Sequence, residues 1–254
     1  MERKNAWAAY AEDDSRVEAF AKAYCDFINN GKTERECVAY GEKLAKAHGF
    51  EDLNAVIRSG RKLEAGARVY ANWMGKSFML FVLGAKPLEE GMNILGAHID
   101  SPRIDVKQNP LYEDGDLAYL DTHYYGGIKK YQWVAMPLAL HGVIIKKNGE
   151  KVPVNIGEDE NDPVFCISDL LIHLAQEQMA KNAKDVVEGE ALDLIVGGRP
   201  LAGEEKDAGK AKVLKLLDDK YGVEEEDFLS AELEIVPAGK ARDMGFDRSM
   251  ILGY

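Results

Sequence analysis

The feature that most constrains this 254-residue chain is an apolar run that ends in the segment GAHIDSPR at residues 96–103. The apolar residues before the histidine predict a buried strand over about residues 93–98, and Ser-Pro ends it. On an extended strand His98 and Asp100 point to the same face, because they are two residues apart. We therefore expect this pair at the carboxyl end of a strand, where open α/β sheets usually carry their chemistry.

The pair has two interpretations. The imidazole of His98 can bind a metal ion while the carboxylate of Asp100 accepts its other N–H, which fixes the tautomer and the ring orientation. An isolated His-X-Asp is also found as a hydrogen-bonded pair without a metal. The motif alone leaves both interpretations open.

Local signals predict helices first and then many short strands. One helix begins after Asp14 or Ser15, and a second opens with a capping box at residues 33–36. A Gly-Lys turn at residues 75–76 predicts a hairpin. We expect strands at about 67–72, 77–83, 93–98, 103–107, 117–124, 131–145, 151–156, 192–196 and 229–236, and a helix at about 210–221.

Asp162-Pro163 predicts the start of a further helix, because proline is favoured at the first helical position. The apolar stripe of this helix consists of Ile167, Leu170, Leu171 and Leu174. His173 lies beside the stripe. A histidine at such a position is usually structural, so the pattern alone gives it no chemical role.

Composition narrows the class of function. The chain carries 32 Lys and Arg against 44 Asp and Glu, a net charge of −12. This balance argues against binding of nucleic acid, which needs a basic face, and against adsorption to an anionic membrane. The charged start and the lack of an apolar run of about 20 residues favour a cytoplasmic protein. Three widely spaced cysteines, Cys25, Cys37 and Cys166, are expected to be reduced thiols.

Five blocks, in this order and spacing, resemble the amino-terminal part of the aspartyl aminopeptidase family of zinc metallopeptidases. The blocks are Gly49-Phe50, residues 96–102, Tyr125-Gly126-Gly127, residues 167–174 and residues 232–242. The resemblance extends from about Gly49 to the last residue.

This resemblance implies an α/β fold that is part of a mixed-sheet zinc-peptidase catalytic domain with an inserted β-rich dimerisation domain. Residues 1–102 would form the first part of the catalytic α/β domain. Residues 103–236 would form the inserted β-rich oligomerisation domain, and residues 237–254 would return to the catalytic domain, truncated at the last residue.

The resemblance also implies hydrolysis of an amino-terminal, usually acidic, residue from peptide substrates. His98 falls on the family's first metal-binding histidine, and Asp100 falls on the catalytic carboxylate that steadies it. His173 matches a histidine that serves the metal or the substrate and reaches the neighbouring subunit's site. The implied cofactor is zinc, two ions per complete site, with cobalt or manganese as competitors. The implied assembly is a homo-oligomer built from dimers.

Two departures from the family pattern matter. Many members carry Trp-His after the two glycines, where this chain has Lys129-Lys130, so the preferred amino-terminal residue does not follow from the resemblance. The family's bridging carboxylate, general-base glutamate and remaining ligands follow the point that Tyr254 matches. We therefore expect a metal-dependent aminopeptidase of which this chain carries the first part of the site and is inactive alone.

Two alternatives remain. The first is a non-catalytic fragment or assembly module of such an enzyme. The second is an isolated metal-binding protein, which is disfavoured because two histidines and one carboxylate hold zinc poorly.

Overall fold

A computed structural model describes residues 5–10 and 14–254. The chain divides into two compact units, one of Met1–Ile99 with Lys240–Tyr254 and one of Asp100–Gly239. Within the described residues, no helix is both long enough and apolar enough to cross a membrane. The catalytic and oligomerisation roles that we assign to residues 1–102, 103–236 and 237–254 stay predictions.

Two capped helices open the first unit. Helix α1 (Ser15–Asn30) begins after Asp14, whose carboxylate accepts the backbone N–H of Arg16. Helix α2 (Glu34–Ala47) begins after Thr33, whose hydroxyl accepts the backbone N–H of the third helical residue. Capping side chains of this kind satisfy backbone donors that have no partner inside the helix. Both predicted helix starts are confirmed.

A small sheet follows in the same unit. Its strand order is β1-β2-β3, with β1 parallel and β3 antiparallel to β2. The predicted hairpin is confirmed, and Met74 and Gly75 take the positive φ angles of its turn. The elements are β1 (Glu51–Asp52), helix α3 (Leu53–Ser59), β2 (Arg68–Trp73) and β3 (Ser77–Val82).

The strand predicted at residues 93–98 is wrong. Residues 91–102 have neither helical nor strand structure, and Ile94 and Leu95 are 78% and 101% exposed. A strand requires a hydrogen-bonded neighbour, and the sheet of the first unit offers none to this segment among the described residues. His98 therefore lies on irregular backbone, and strand alternation does not orient it.

The second unit is built on an antiparallel sheet. The described residues give it six strands in the order β7-β6-β9-β4-β5-β8. The strand predicted over 131–145 starts later, because residues 130–132 form a 3-10 turn. The strands are β4 (Arg103–Asp114), β5 (Leu117–Tyr125), β6 (Leu138–Ile145), β7 (Lys151–Ile156), β8 (Leu194–Gly197) and β9 (Ala231–Pro237). Ile104, Leu138, Leu194 and Ile235 are fully buried and form the centre of its core.

The helix predicted from Asp162-Pro163 is also wrong. Phe165 and Cys166 instead make isolated antiparallel bridges to Leu138 and Ile195. These bridges use the backbone groups that a helix would need for its own hydrogen bonds. The nearest α-helix is the short α4 (Gln176–Met179), so the predicted apolar stripe does not exist as one helical face.

The remaining elements complete both units. Helix α5 (Ala208–Tyr221), close to its predicted bounds, packs on β5 and β8. The chain then returns to the first unit in a hairpin of β10 (Arg242–Met244) and β11 (Met250–Leu252). The sequence did not predict this hairpin, since its strands have three residues each and no alternating pattern.

Gly142 gives a direct test of the sheet. It lies in β6 with φ 141°, and a Cβ atom there would be 1.9 Å from the backbone oxygen of Glu232 in β9. We predict that Gly142→Ala lowers the free energy of unfolding by about 3 kcal/mol or more, because two strands must separate. Urea denaturation measures this loss.

Gly149→Ala is the matched control, because Gly149 also has a positive φ but has no atom within 4 Å of the added Cβ. It should cost only the backbone strain, about 1 kcal/mol. Equal losses for the two variants would contradict the close approach of β6 and β9.

Candidate metal and substrate site

His98 lies near the end of the first unit's main segment. Its side chain is exposed and its backbone is irregular. Within the described part of the chain, no group of three or more His, Cys, Asp or Glu side chains is arranged to hold a metal ion. The described residues thus offer a candidate ligand but no assembled metal centre.

Asp100 begins the second unit and is half-buried. The hydroxyl of Tyr125 donates a hydrogen bond to its Oδ2 atom over 3.1 Å. Tyr125 is the last residue of β5 and lies directly opposite Arg103, the first residue of β4. The end of the sheet therefore holds the carboxylate of Asp100.

A partly buried charge cluster supports Tyr125. The Nε atom of Arg103 lies 2.8 Å from Asp105 Oδ1 and 3.2 Å from Glu234 Oε2. The guanidinium carbon lies 4.2 Å from the centre of the Tyr125 ring. Arg103 is only 5% exposed, so its charge needs these carboxylates as partners. We call Arg103, Asp105, Glu234 and Tyr125 the Arg103 cluster.

The first glycine after Tyr125 brings two separate sequence blocks together. Gly126 has φ 75°, and a Cβ atom there would lie 3.5 Å from Pro102. The Tyr-Gly-Gly block therefore turns back onto the Asp-Ser-Pro end of the first motif. This contact lies wholly within the second unit.

His173 lies in a turn and is exposed. It lines a surface pocket of about 690 Å³ together with Asp169, Glu177, Lys181 and Glu188. Gln178 closes the loop around the pocket, because its amide donates to Asp169 Oδ1 over 2.8 Å. An imidazole, carboxylates and a lysine are thus among the groups that line this open pocket.

A second pocket of about 560 Å³ lies beside the first and shares Lys181 and Glu188 with it. Lys130, which is half-buried, lines this second pocket. Lys181 is already paired with Glu188 at 3.5 Å. At the departure from the family pattern, Lys130 therefore lies in the wall of the pocket beside that of His173.

Sequence reasoning missed the parts played by Tyr125 and Arg103. Both residues stand in or beside quoted blocks, so a signal was present, but the contacts join strands that are distant in the chain. Residues 181–210 are polar and rich in glycine, a composition typical of a mobile surface connection. The structure instead places Lys181, Asp185 and Glu188 of that connection in pocket walls.

The residues fit zinc in kind but not in number. Imidazole and carboxylate are ligands that zinc accepts, and a catalytic zinc site uses three protein ligands. The described residues assemble no such set of three. His98 can supply one ligand, and a complete site needs donors beyond those assembled here.

The family to which the chain belongs is clear from comparison. The sequence model of the family described as aminopeptidase I zinc metalloprotease (M18) matches residues 27–254. A "probable M18 family aminopeptidase 1" of Clostridium acetobutylicum is 57% identical over all of this chain and 55% of its own length. The protein of the same description from Thermotoga maritima is 44% identical over all of this chain and 54% of its own length.

Comparison with solved structures supports the same family. The crystal structure of an M18 aminopeptidase from Thermotoga maritima matches with a TM-score of 0.91 at 44% identity, over 99% of this chain and 54% of that one. Aminopeptidase I from Clostridium acetobutylicum matches with a TM-score of 0.88 at 56% identity, over 100% of this chain and 56% of that one. The chain belongs to peptidase family M18, a family of zinc metalloproteases.

Membership of this family confirms the resemblance and the mixed α/β fold class. The chain spans about half the length of the relatives that it matches. The individual roles of His98, Asp100 and His173 stay predictions.

Proposed function

We propose that this chain carries the first part of the active site of a zinc-dependent aminopeptidase, which removes amino-terminal residues, preferably acidic ones, from peptides in the cytoplasm. The observation that carries this proposal is the 57% identity with the Clostridium acetobutylicum M18 protein along the whole chain. Identity at this level makes shared chemistry the simplest expectation.

Each predicted site residue has a role in this proposal. Zinc, when bound, supplies Lewis acidity that polarises the scissile carbonyl. His98 would contribute one imidazole ligand, with a second ion held by further donors. Asp100, two residues on in the sequence, would steady that histidine and fix its tautomer. Cobalt or manganese would compete for the same donors.

Lys130 is the candidate for recognition of acidic substrates. A chain of net charge −12 repels an acidic peptide at long range, so recognition needs a local cation. Lys130 lines a pocket beside that of His173. An ammonium group in this position can pair with the side-chain carboxylate of an amino-terminal aspartate or glutamate.

One observation favours a second candidate, a non-catalytic assembly module. No set of three metal donors is assembled within the described residues. The intact mass of the protein made in its source cell separates the two functions. A chain longer than 254 residues, or a second chain that carries further ligands, supports the enzyme.

Replacement of Lys130 tests the substrate class. In the protein made from its own gene, we predict that Lys130→Ala lowers kcat/KM for aspartyl amide about tenfold, the value of one charged hydrogen bond, and leaves leucyl amide unchanged. Lys129→Ala is the matched control, because Lys129 is exposed and does not line the pocket.

The same amide assay tests whether the activity depends on zinc. Removal of zinc with a chelator should abolish both activities, and zinc should restore them. Equal loss on both amides in Lys130→Ala would remove Lys130 from substrate selection. Activity that survives full chelation would contradict the metal-dependent mechanism.

We further propose that His173 serves a neighbouring subunit in a homo-oligomer built from dimers, where it binds metal or substrate. Its exposed position in a pocket wall leaves it accessible to a second chain. A hydrogen bond from His173 where charge develops would raise the rate by about 10²–10³-fold.

Subunit exchange tests this role. We expect His98→Ala and His173→Ala, each made in the protein expressed from its natural gene, to be inactive alone. Mixing the subunits of the two variants should restore part of the activity. Mixed dimers would combine an intact His98 on one chain with an intact His173 on the other. Complete exchange, followed by mass spectrometry, without recovery would mean that His173 serves only its own chain.

A further inference from the structure

We propose that Tyr125 is a positioning residue for the proposed hydrolysis, acting through its hydrogen bond to Asp100, with Arg103 holding the tyrosine ring in place. The inference rests on the proposed function of Asp100. It adds a tyrosine and an arginine that touch neither metal nor substrate but fix the carboxylate that does the orienting.

A hydrogen bond from Tyr125 orients the carboxylate of Asp100. The Tyr125 hydroxyl donates to Asp100 Oδ2 over 3.1 Å. A carboxylate has about four lone-pair positions, so it can accept more than one hydrogen bond. The terminal torsion of an aspartate is otherwise broad. The bond therefore fixes the plane of the carboxylate without saturating it.

The guanidinium of Arg103 in turn holds the tyrosine ring. Tyr125 is 40% exposed and ends its strand, so an unsupported ring would be free to turn into solvent. Arg103 lies directly opposite on β4, and its guanidinium lies 4.2 Å from the ring centre. A cation over an aromatic face is attracted to the ring. This contact keeps the hydroxyl directed at Asp100.

Two carboxylates hold the arginine. Asp105 and Glu234 lie opposite each other on β4 and β9. Both approach the Nε atom of Arg103, at 2.8 Å and 3.2 Å. The Nε–H donates its hydrogen bond to Asp105, and the buried Glu234 carboxylate pairs with the same positive charge from β9, so the guanidinium is held between the two strands. The interior of the sheet is thus connected through Arg103 and Tyr125 to Asp100.

Strand β4 also carries Tyr112, which forms a tyrosine–aspartate pair with a different task. The Tyr112 hydroxyl donates to Asp193 Oδ2 over 2.6 Å, and Asp193 Oδ1 accepts the backbone N–H of Thr122 over 3.2 Å. Burial, together with the nearby Asp193 carboxylate, raises the pKa of Tyr112. This tyrosine–aspartate pair fastens β8 and its loop to the sheet and does not involve Asp100.

The experiment compares Tyr125→Phe with Tyr112→Phe in the protein made from its own gene. Zinc affinity is measured by competition with a chromophoric chelator, and kcat and KM are measured separately on one amide substrate. We expect Tyr125→Phe to weaken zinc binding about tenfold and to lower kcat with little change in KM. Tyr112→Phe should leave zinc affinity, kcat and KM unchanged and lower only the urea midpoint.

A double-mutant cycle with Asp100→Ala shows whether the hydroxyl acts through Asp100. The loss of the hydroxyl should have no further effect on zinc affinity once Asp100 is alanine. Equal effects in both backgrounds would overturn the inference. So would a Tyr125→Phe protein with the zinc affinity and kcat of an active wild type. A wild type that binds no zinc and cleaves no amide would instead overturn the proposed function.

Discussion

The antiparallel pairing of β4 with β5 and β9 is the interaction on which the rest of the second unit depends, and Arg103, at the start of β4, contacts residues of both neighbouring strands. A buried guanidinium is costly unless carboxylates neutralise it, and Asp105 and Glu234 do so from two adjacent strands. A slip of one residue between β4 and β9 would turn Arg103 and Asp105 to the opposite face together and separate both from Glu234. The cluster therefore specifies the strand register as well as stabilising it.

The register of β4 and β5 also connects the core of the second unit to Asp100. Arg103 pairs with Tyr125 at the ends of their strands, and Tyr125 bonds to Asp100. The glycine that follows Tyr125 turns back onto Pro102. A residue that the sequence marks for chemistry is thus held by contacts that begin inside the sheet.

Elements that neighbouring residues determine could be predicted from the sequence, whereas elements that depend on residues far away in the chain could not. Helix α1 follows from the cap at Asp14, and the β2–β3 hairpin follows from its glycine turn. The strand at 93–98 and the helix after Asp162 fitted their patterns, but the first has no neighbouring strand among the described residues and the backbone of the second bridges to distant strands. Within the site, ordered blocks identified the family, whereas no local pattern could reveal the contact between Tyr125 and Asp100.

We propose that residues 1–254 supply part of a zinc peptidase site that further donors complete. The most direct measurement is to titrate zinc into the purified 254-residue chain and to assay aspartyl, glutamyl and leucyl amides with zinc, cobalt and manganese. The account predicts no stoichiometric zinc after dialysis and no metal-dependent turnover, since the described residues assemble no three-ligand set. Metal-dependent turnover that His98→Ala abolishes would contradict it.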